Sequence, residues 1–360
     1  MGKTILIMAG GTGGHVFPGI AVANELKRRN WNIHWLGTSA RMEAEIVPKA
    51  GFDISFVDVA GVRGNGLLRK LKAPFQLLRA VAQANAVIKK IQPDVVLGMG
   101  GFASGPGGIA AWLRGIPLAV HEQNALPGVT NKVLAKVASK VLMGFDHAFG
   151  KNTDTHKYLW VGNPVRPEFA DQSVSTQQRN TRHILIVGGS LGAKVLNEYV
   201  PSALAKLDAF SVWHQTGKGN QEEVKQSYQQ QIGEHVDCKV TEFIDDMAAA
   251  YRWADVIICR AGALTVAEVA MSGVAAIFVP LPHAVDDHQT VNARALCDEG
   301  AGILMPQNKL EQGDLYPVLN ELLAEPKKIG EIGERAKSLA KPEATQTVAD
   351  ICEDLGGMAA

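Results

Sequence analysis

The chain has 360 residues, of which 46% are hydrophobic and 20% charged, and its 36 basic and 36 acidic residues give a formal net charge of zero. This length is sufficient for two domains with sizeable cores, and the neutral total argues against a general nucleic-acid binder. The four cysteines are widely spaced without a C-x-x-C pair, which argues against a disulfide framework or a zinc site and fits a reducing compartment.

The amino terminus begins with a strand–glycine–helix pattern. The apolar run TILIMA (4–9) is too short for a signal-peptide core and is followed by the cluster GGTGG (10–14) and a helix predicted over 16–28. Glycine turns at a helix start let the backbone approach an anion. His15 lies at this start, where it serves as a cap, a packed side chain or a general base.

The rest of the first half alternates short apolar strands with helices. Strands are predicted at 33–37, 54–59, 94–98, 117–122 and 140–145. The segment HEQNALPGVTNK (121–132) follows the fourth of these strands, so its amides suit sugar hydroxyls and His121 and Glu122 could act as acid or base. A buried hydrogen-bonded turn explains the same residues equally well.

Residues 62–91 combine leucines and Phe75 with five arginines and lysines up to Arg79, and no acidic residue occurs between Asp58 and Asp94. Such clustering is typical of a segment at a membrane interface, although a packed helix with a solvated basic face is the simpler alternative. We expect Pro74 to interrupt any long helix here. The longest uncharged stretch, 95–113, contains six glycines and a proline and predicts no spanning helix.

The second half repeats the plan of the first. After a linker predicted at 162–169, the run HILIV leads into GGSLGA (188–193), whose Gly-Gly pair lies 178 residues after the first pair, and into a helix predicted over 193–207. Further strands are predicted at 184–189, 211–217, 238–243, 255–260 and 275–280. The sequence therefore predicts two α/β domains with doubly wound parallel sheets, whose ligands bind at the carboxyl ends of the strands.

Neither glycine loop is a Walker loop or a good G-x-G-x-x-G match. Tight β–α turns explain one such loop, but two equivalent loops together with GMGGFASGPGG (98–108) favour binding of an anion or a sugar. In the second half, Thr265 and Glu268 have the spacing of a capping box, and a ribose-binding role for Glu268 explains the pattern as well.

A third polar cluster lies in PLPHAVDDHQTVNA (280–293), where His283, Asp286, Asp287 and His288 make metal ligation conceivable. Solvated loop residues are the simpler interpretation. The absence of any D-x-D sequence disfavours a metal-bridged nucleotide diphosphate.

The ordered motifs of the whole chain resemble the MurG family, the UDP-N-acetylglucosamine:lipid I N-acetylglucosaminyltransferases of bacterial peptidoglycan synthesis. The resemblance is carried by GGTGGHVFPG, RMEAEIVPKAG, PDVVLGMGGFASGPGG, HEQNALPGVTNK, VGNPVR, GGSLGA, HQTGKG, FIDDMAAAY, ADVIICRAGALTVAE and the DDHQ–N cluster. It implies a GT-B glycosyltransferase fold, with two Rossmann-like doubly wound domains facing a deep cleft. The implied parts are an acceptor and membrane domain at 1–163, a UDP-GlcNAc domain at 164–341, and a C-terminal helix at 342–360 that packs back on the first domain.

The resemblance also implies residue roles. Ile244 would meet uracil through its backbone, Glu268 the ribose, and the Ser190 loop the diphosphate, while Gln289 and Asn124 would read the GlcNAc hydroxyls. The full set that it places at the substrate is Thr12, Gly13, Gly14, Asn124, Arg166, Ser190, Ile244, Arg260, Ala263, Leu264, Thr265, Val266, Ala267, Glu268 and Gln289. Phe102 departs from the family, which often has Tyr there.

The implied reaction transfers GlcNAc with inversion to the C4 hydroxyl of MurNAc in lipid I, giving lipid II. We expect His15 to be the base, with His121 and Glu122 as rivals, backbone N–H groups and Arg260 stabilising the diphosphate, and no cofactor or metal. The implied partners are UDP-GlcNAc, lipid I, an anionic membrane surface, and other cell-wall synthesis proteins, with no nucleic acid. The location that the resemblance implies is peripheral, on the cytoplasmic face of the bacterial plasma (inner) membrane.

Two alternatives stay open. A UDP-GlcNAc 2-epimerase shares the GT-B fold and needs no lipid acceptor, so it would make UDP-ManNAc from the donor alone. A nucleotide-sugar-binding scaffold at the membrane would bind the donor without turnover.

Overall fold

The computed structural model describes residues 2–59, 67–151, 153–169, 181–189, 192–233, 237–282 and 287–357. The chain divides into two compact units. Met1–Arg166 and Lys341–Ala360 form the first unit, and Pro167–Ala340 form the second.

The first unit is built on one parallel sheet. Its strands within the described ranges are β1 (Thr4–Ala9), β2 (Asn32–Gly37), β3 (Asp53–Phe56), β4 (Val95–Gly100), β5 (Leu118–Glu122), β6 (Lys140–Met143) and β7 (Tyr158–Trp160), in the order β3-β2-β1-β4-β5-β6-β7. The helices that accompany them are α1 (Gly13–Arg28), α2 (Glu43–Lys49), α3 (Leu67–Ile91), α4 (Ser104–Leu113) and α5 (Val129–Leu134).

The second unit repeats this architecture. Its described strands are β8 (Arg182–Val187), β9 (Phe210–Gln215), β10 (Cys238–Thr241), β11 (Val256–Cys259), β12 (Ala275–Phe278) and β13 (Ile303–Leu304), in the parallel order β10-β9-β8-β11-β12-β13. Its helices are α6 (Lys194–Leu204), α7 (Gln221–Ile232), α8 (Met247–Trp253), α9 (Ala263–Ser272), α10 (His288–Cys297), α11 (Gln307–Glu311), α12 (Leu315–Ala324) and α13 (Pro326–Ser338), and a 3₁₀ turn spans Pro167–Phe169.

The central strands are apolar because helices cover both faces of each sheet. All six residues of β4 are buried, as are four consecutive residues of β8 from Ile184 to Val187. Since the strands are parallel, their carboxyl ends share one edge of each sheet, and the loops after β1, β2, β4 and β5 meet there in the first unit. Two parallel-sheet Rossmann-like domains are confirmed.

The last helix, α14 (Ala344–Gly357), belongs to the first unit and packs against α1. Its residues Val348 and Cys352 are fully buried in the same core as Leu26. At the rim of this contact, the Arg29 guanidinium pairs with the Glu353 carboxylate at 2.7 Å.

The expectation that Pro74 interrupts a long helix is wrong. α3 continues from Leu67 to Ile91 with Pro74 inside it. The helix tolerates the lost N–H because Ala80, Ala84 and Ile88 anchor its later turns in the core. The structure also adds strands β7 and β13, whose three and two residues are too short for a periodic signal. No helix in the described ranges is long and apolar enough to cross a membrane.

Candidate active site

The first glycine loop turns the chain from β1 into α1. Gly11 has φ +91°, in the left-handed region, and Thr12 is extended with φ −139°. The helix then begins at Gly13, three residues earlier than expected, and the N–H groups of His15 and Val16 donate to the Thr12 carbonyl. Thr12, Gly13 and Gly14 therefore present backbone and hydroxyl groups at the carboxyl edge of the sheet.

His15 lies on this turn with its ring held in one orientation. Its Nδ1 is 3.2 Å from the Gly10 carbonyl oxygen and 3.4 Å from Thr12 Oγ1. The ring packs against Gly100, where a Cβ would come within 2.9 Å of His15 Cδ2. Because a carbonyl only accepts, the hydrogen of the neutral ring resides on Nδ1 and the lone pair on Nε2. This is the tautomer that a general base acting through Nε2 requires.

His121, at the end of β5, is fully buried, unlike the partly exposed His15. Its Nε2–H donates to the Gly162 carbonyl (2.9 Å), and its Nδ1 accepts from the Gln123 amide (3.1 Å). Burial lowers the pKa of His121 to about 4. With both nitrogens engaged inside the protein, His121 ties β5 to the chain at Gly162, and the expectation that it rivals His15 loses its geometric basis.

Glu122 organises the loop that follows β5. Its side chain is buried, and its carboxylate accepts from the Asn124 N–H (3.0 Å), the Gly128 N–H (3.0 Å) and Asn131 Nδ2 (2.8 Å). A carboxylate that holds backbone donors on both sides is a structural acceptor, so its placement disfavours an acid–base role. Asn124 is half-buried, and its Nδ2 also donates to Glu122 (3.2 Å).

The second glycine loop, after β8, rests on Gln215. The N–H groups of Gly188 and Gly189 donate to Gln215 Oε1 at 3.1 and 3.2 Å, and its Nε2 donates to the Glu242 carbonyl at 2.8 Å. Gln215 was not predicted as a functional residue, and its only signal in the sequence is its place in the HQTGKG motif. Ser190, assigned to the diphosphate, lies outside the described residues.

Helix α9 offers a second helix N-terminus in this unit. It begins at Ala263 after the extended Gly262, so Thr265 is its third residue and the capping-box interpretation is wrong. The first N–H groups of a helix have no acceptor within it, which makes the backbone at 263–265 a suitable anion site. The side chains of Ala263 and Val266 are buried, whereas those of Leu264, Thr265, Ala267 and Glu268 are half-buried.

Glu268 lies close to the carboxyl end of β11. The pKa of the Cys259 thiol, at the end of β11, is raised mainly by burial, then by Cys297, and then by the negative charge of the Glu268 carboxylate. A half-buried carboxylate one turn inside α9 is well placed to accept hydrogen bonds from a diol.

Arg260, between β11 and α9, uses its guanidinium to hold neighbouring chain. Nη1 donates to the carbonyls of Val279 and Pro280 (3.1 and 3.0 Å), and Nη2 donates to Gln307 Oε1 (3.0 Å). These contacts favour a positioning role for Arg260 over direct contact with a diphosphate. His283 and Asp286, the centre of the conceivable metal cluster, lie outside the described residues.

Gln289, Ile244 and Arg166 are also expected at the substrate. Gln289 accepts the Leu281 N–H at 2.9 Å through Oε1, and Ile244 is half-buried in the loop after β10. Arg166 ends the first of the two segments that form the first unit. Asn292, which sequence reasoning missed, is fully buried and donates through Nδ2 to the Ala261 carbonyl (3.2 Å), which fastens α10 to the start of α9.

Comparison with known families accounts for nearly the whole chain. Residues 5–143 match the glycosyltransferase family 28 N-terminal domain, and residues 183–354 match the glycosyltransferase family 28 C-terminal domain. The two matches follow the two sheets described above.

Individual proteins show the same likeness. A UDP-N-acetylglucosamine–N-acetylmuramyl-(pentapeptide) pyrophosphoryl-undecaprenol N-acetylglucosamine transferase from Pseudoalteromonas atlantica is 59% identical, over 98% of this chain and 96% of the relative. The enzyme of that name from Shewanella frigidimarina is 55% identical, over 97% and 95%. The crystal structure of Acinetobacter baumannii MurG is 40% identical, with a TM-score of 0.84 over 98% of this chain and 99% of that one.

Proposed function

The chain belongs to glycosyltransferase family 28, and on this premise we propose that it transfers GlcNAc from UDP-GlcNAc to the C4 hydroxyl of MurNAc in lipid I. The product is lipid II, the precursor of peptidoglycan, which the cell needs for its shape and division. The observation that carries the proposal is 59% identity, along almost all of both chains, to a relative named for this transfer. The GT-B fold class and the hexosyltransferase activity follow from the same family.

The chemistry proceeds by inversion. The acceptor oxygen attacks the anomeric carbon of GlcNAc, the bond from that carbon to the diphosphate oxygen breaks, and the electron pair leaves with UDP. The hydroxyl proton passes to His15 Nε2, because the Gly10 carbonyl keeps the ring hydrogen on Nδ1. The buried contacts of His121 and Glu122 support this choice of base.

The second unit binds the nucleotide in this proposal. The backbone of Ile244 contacts uracil, Arg166 is a further nucleotide contact, and the Glu268 carboxylate accepts from the ribose hydroxyls. The loop at Gly188, including Ser190, and the first turn of α9 bind the diphosphate. This assignment is supported by the helix start at Ala263, whose first N–H groups have no acceptor within the helix, and by the left-handed Gly189 (φ +86°), which makes the tight turn of the second glycine loop.

The same N–H groups stabilise the charge that grows on the leaving diphosphate, since they are already oriented in the resting protein. Arg260 contributes by holding the chain at Val279 and Pro280. Asn124 and Gln289 are proposed to bind hydroxyls of GlcNAc, and Thr12, Gly13 and Gly14 are further proposed substrate contacts.

One face of the first unit binds the membrane that carries lipid I. Phe75 and Leu78 of α3 are 75% and 67% exposed, and Trp112 and Leu113 of α4 are 52% and 65% exposed. Helices α3 and α4, which carry these exposed side chains, pack on each other. The exposed Arg79 guanidinium of α3, which also pairs with Asp58 at 3.2 Å, suits the anionic headgroups of the cytoplasmic face of the inner membrane. Residues 62–66 of the predicted basic segment lie outside the described residues.

The test of the function is turnover with defined substrates. Purified protein with UDP-GlcNAc and lipid I should release UDP and form lipid II in equal amounts, and UDP-GlcNAc alone should give no UDP-ManNAc. UDP-ManNAc formation, or donor binding without turnover when lipid I is present, would contradict the proposal in favour of the epimerase or the scaffold.

The membrane surface is tested by sedimentation with vesicles that contain anionic lipid. A Phe75→Ser/Leu78→Ser variant should lose most vesicle binding, because both side chains are exposed and contribute little to folding. The matched control is Leu281→Ser, which changes a 44% exposed leucine of the second unit. Equal binding of both variants would refute this surface.

A further inference from the structure

A buried carboxylate lies directly behind the first glycine loop. Glu43, the first residue of α2, is completely buried. Its Oε2 accepts from the Gly11 N–H (3.0 Å), and its Oε1 accepts from the N–H and the Oγ1 of Thr38 (3.0 and 2.7 Å). A buried charge with three donors is strongly oriented, because any rotation leaves donors unpaired.

The glycines around this carboxylate make room for it. A Cβ on Gly10 would lie 2.3 Å from Glu43 Oε1, and a Cβ on Gly37 would lie 2.8 Å from Glu43 Cγ. On the other side, a Cβ on Gly101, which has φ +86°, would lie 2.2 Å from the Gly10 carbonyl oxygen. The peptide that follows Gly10 is thus enclosed between Glu43 and the β4–α4 loop.

This one peptide group connects Glu43 with His15. The Gly10 carbonyl and the Gly11 N–H belong to the same planar unit and point in opposite directions. Glu43 accepts from the N–H end, and the carbonyl end accepts from His15 Nδ1 at 3.2 Å. An acceptor that fixes the N–H also fixes the direction of the carbonyl, and that carbonyl selects the ring tautomer.

We propose that Glu43 is a positioning residue for His15, which acts by orienting the Gly10–Gly11 peptide so that His15 keeps its hydrogen on Nδ1 and its lone pair on Nε2. The consequence for catalysis rests on the proposed role of His15 as base. The consequence for the ring tautomer does not depend on that role.

The test is Glu43→Gln, which preserves the shape but replaces one acceptor oxygen by an NH₂ group. If that group faces the Gly11 N–H, the peptide loses its acceptor and turns; if it faces the Thr38 N–H, the side chain is displaced and holds the peptide less firmly. The matched control is Glu45→Gln on the same helix, since Glu45 is exposed and pairs with Lys49 at 2.6 Å.

Two readouts separate positioning from general destabilisation. In folded Glu43→Gln, kcat should fall by about tenfold to a hundredfold, as expected when a catalytic group is misplaced by about 1 Å. The KM for UDP-GlcNAc should stay close to the wild-type value, because the proposed nucleotide contacts lie in the second unit. The ¹⁵N spectrum of His15, assigned with His15→Gln at a pH where the ring is neutral, should change from the Nδ1–H form toward a mixture of tautomers.

A folded Glu43→Gln protein with wild-type kcat and an unchanged His15 tautomer would overturn the inference, and so would equal effects in Glu45→Gln. If Glu43→Gln does not fold, Thr38→Val decides, since it removes one donor to Oε1 at similar size and should shift the tautomer in the same direction. If His15→Ala keeps full turnover, the base assignment fails, and the ¹⁵N measurement still tests Glu43 alone.

Discussion

Glu122 provides the sharpest distinction between a structural and a catalytic carboxylate. We expect Glu122→Gln to destabilise the first unit. The carboxylate accepts four hydrogen bonds, from Asn124 N and Nδ2, Gly128 N and Asn131 Nδ2, at 2.8–3.2 Å. A glutamine side chain has one acceptor oxygen, so in either amide orientation its NH₂ group faces two of these donors.

The magnitude follows from those two lost bonds. Hydrogen bonds to a charged group contribute about 1.5–3 kcal/mol each, so the gross loss is about 3–6 kcal/mol. Removing the desolvated charge offsets part of this, which leaves about 2–4 kcal/mol. For a domain of this size, each kcal/mol lowers Tm by about 2–4 °C, so the first transition should move down by about 10 °C.

The assay is thermal unfolding of the wild type, Glu122→Gln and His15→Ala, combined with turnover at a temperature where all three are folded. His15→Ala is the control, because it should lose turnover with little change in Tm. A Glu122→Gln protein with wild-type Tm and turnover lowered as far as in His15→Ala would refute the structural interpretation and restore Glu122 as an acid–base group.

The remaining predictions concern the base, the buried histidines and one glycine. His15→Ala should lower kcat by about 10²–10⁴-fold, while calorimetry shows nearly unchanged UDP-GlcNAc binding, and near-normal turnover would exclude His15 as the base. Burial lowers the pKa of His121 to about 4 and that of His214 to about 3, so unfolded chains bind more protons than folded ones below the ordinary histidine value of 6.5. Stability is therefore complete above pH 6.5 and should fall by about 1.4 kcal/mol per histidine for each pH unit below it, until the folded pKa is reached. Urea titrations check this slope, which should decrease in His214→Gln, and a flat profile would contradict it. Gly101→Ala should destabilise the first unit by at least about 2 kcal/mol and lower kcat, because its Cβ would lie 2.2 Å from the Gly10 carbonyl oxygen at φ +86°. Wild-type stability in chemical denaturation would show that this contact relaxes freely.

Features with a local signal were predictable. Apolar runs such as ILIM, which contain β-branched residues and end in glycines, predicted the central strands of both sheets, because a strand covered on both faces is apolar throughout. The capping-box interpretation failed because Thr265 and Glu268 have the spacing of a capping pair although both lie inside α9. Pro74 was expected to interrupt the helix, and it does not, because Ala80 and Ala84 are buried in the core. The sequence pattern does not show this burial.

In the candidate site too, local patterns located the loops, whereas burial was known only from the structure. The strand–glycine–helix pattern located the loops at Gly10 and Gly188, and His15 was the expected base with His121 and Glu122 as rivals. Burial separated them, since His121 and Glu122 are enclosed with their polar atoms paired, whereas the His15 ring is partly exposed. No spacing in the sequence distinguishes a histidine whose nitrogens are occupied from one presented at a sheet edge.

The sequence by itself determined two α/β domains, their glycine loops and the family, because strand hydrophobicity and glycine turns depend on neighbours a few residues apart. Only the tertiary structure decided which side chains support those loops. The Glu43 carboxylate accepts a hydrogen bond from the Gly11 N–H, 32 residues away in the sequence, and Gln215 Oε1 accepts one from the Gly188 N–H, 27 residues away. Both bonds form because the order of the parallel strands brings their carboxyl ends to one edge of the sheet. A hydrogen bond between segments that far apart depends on the packing of the whole sheet, and no local pattern records it.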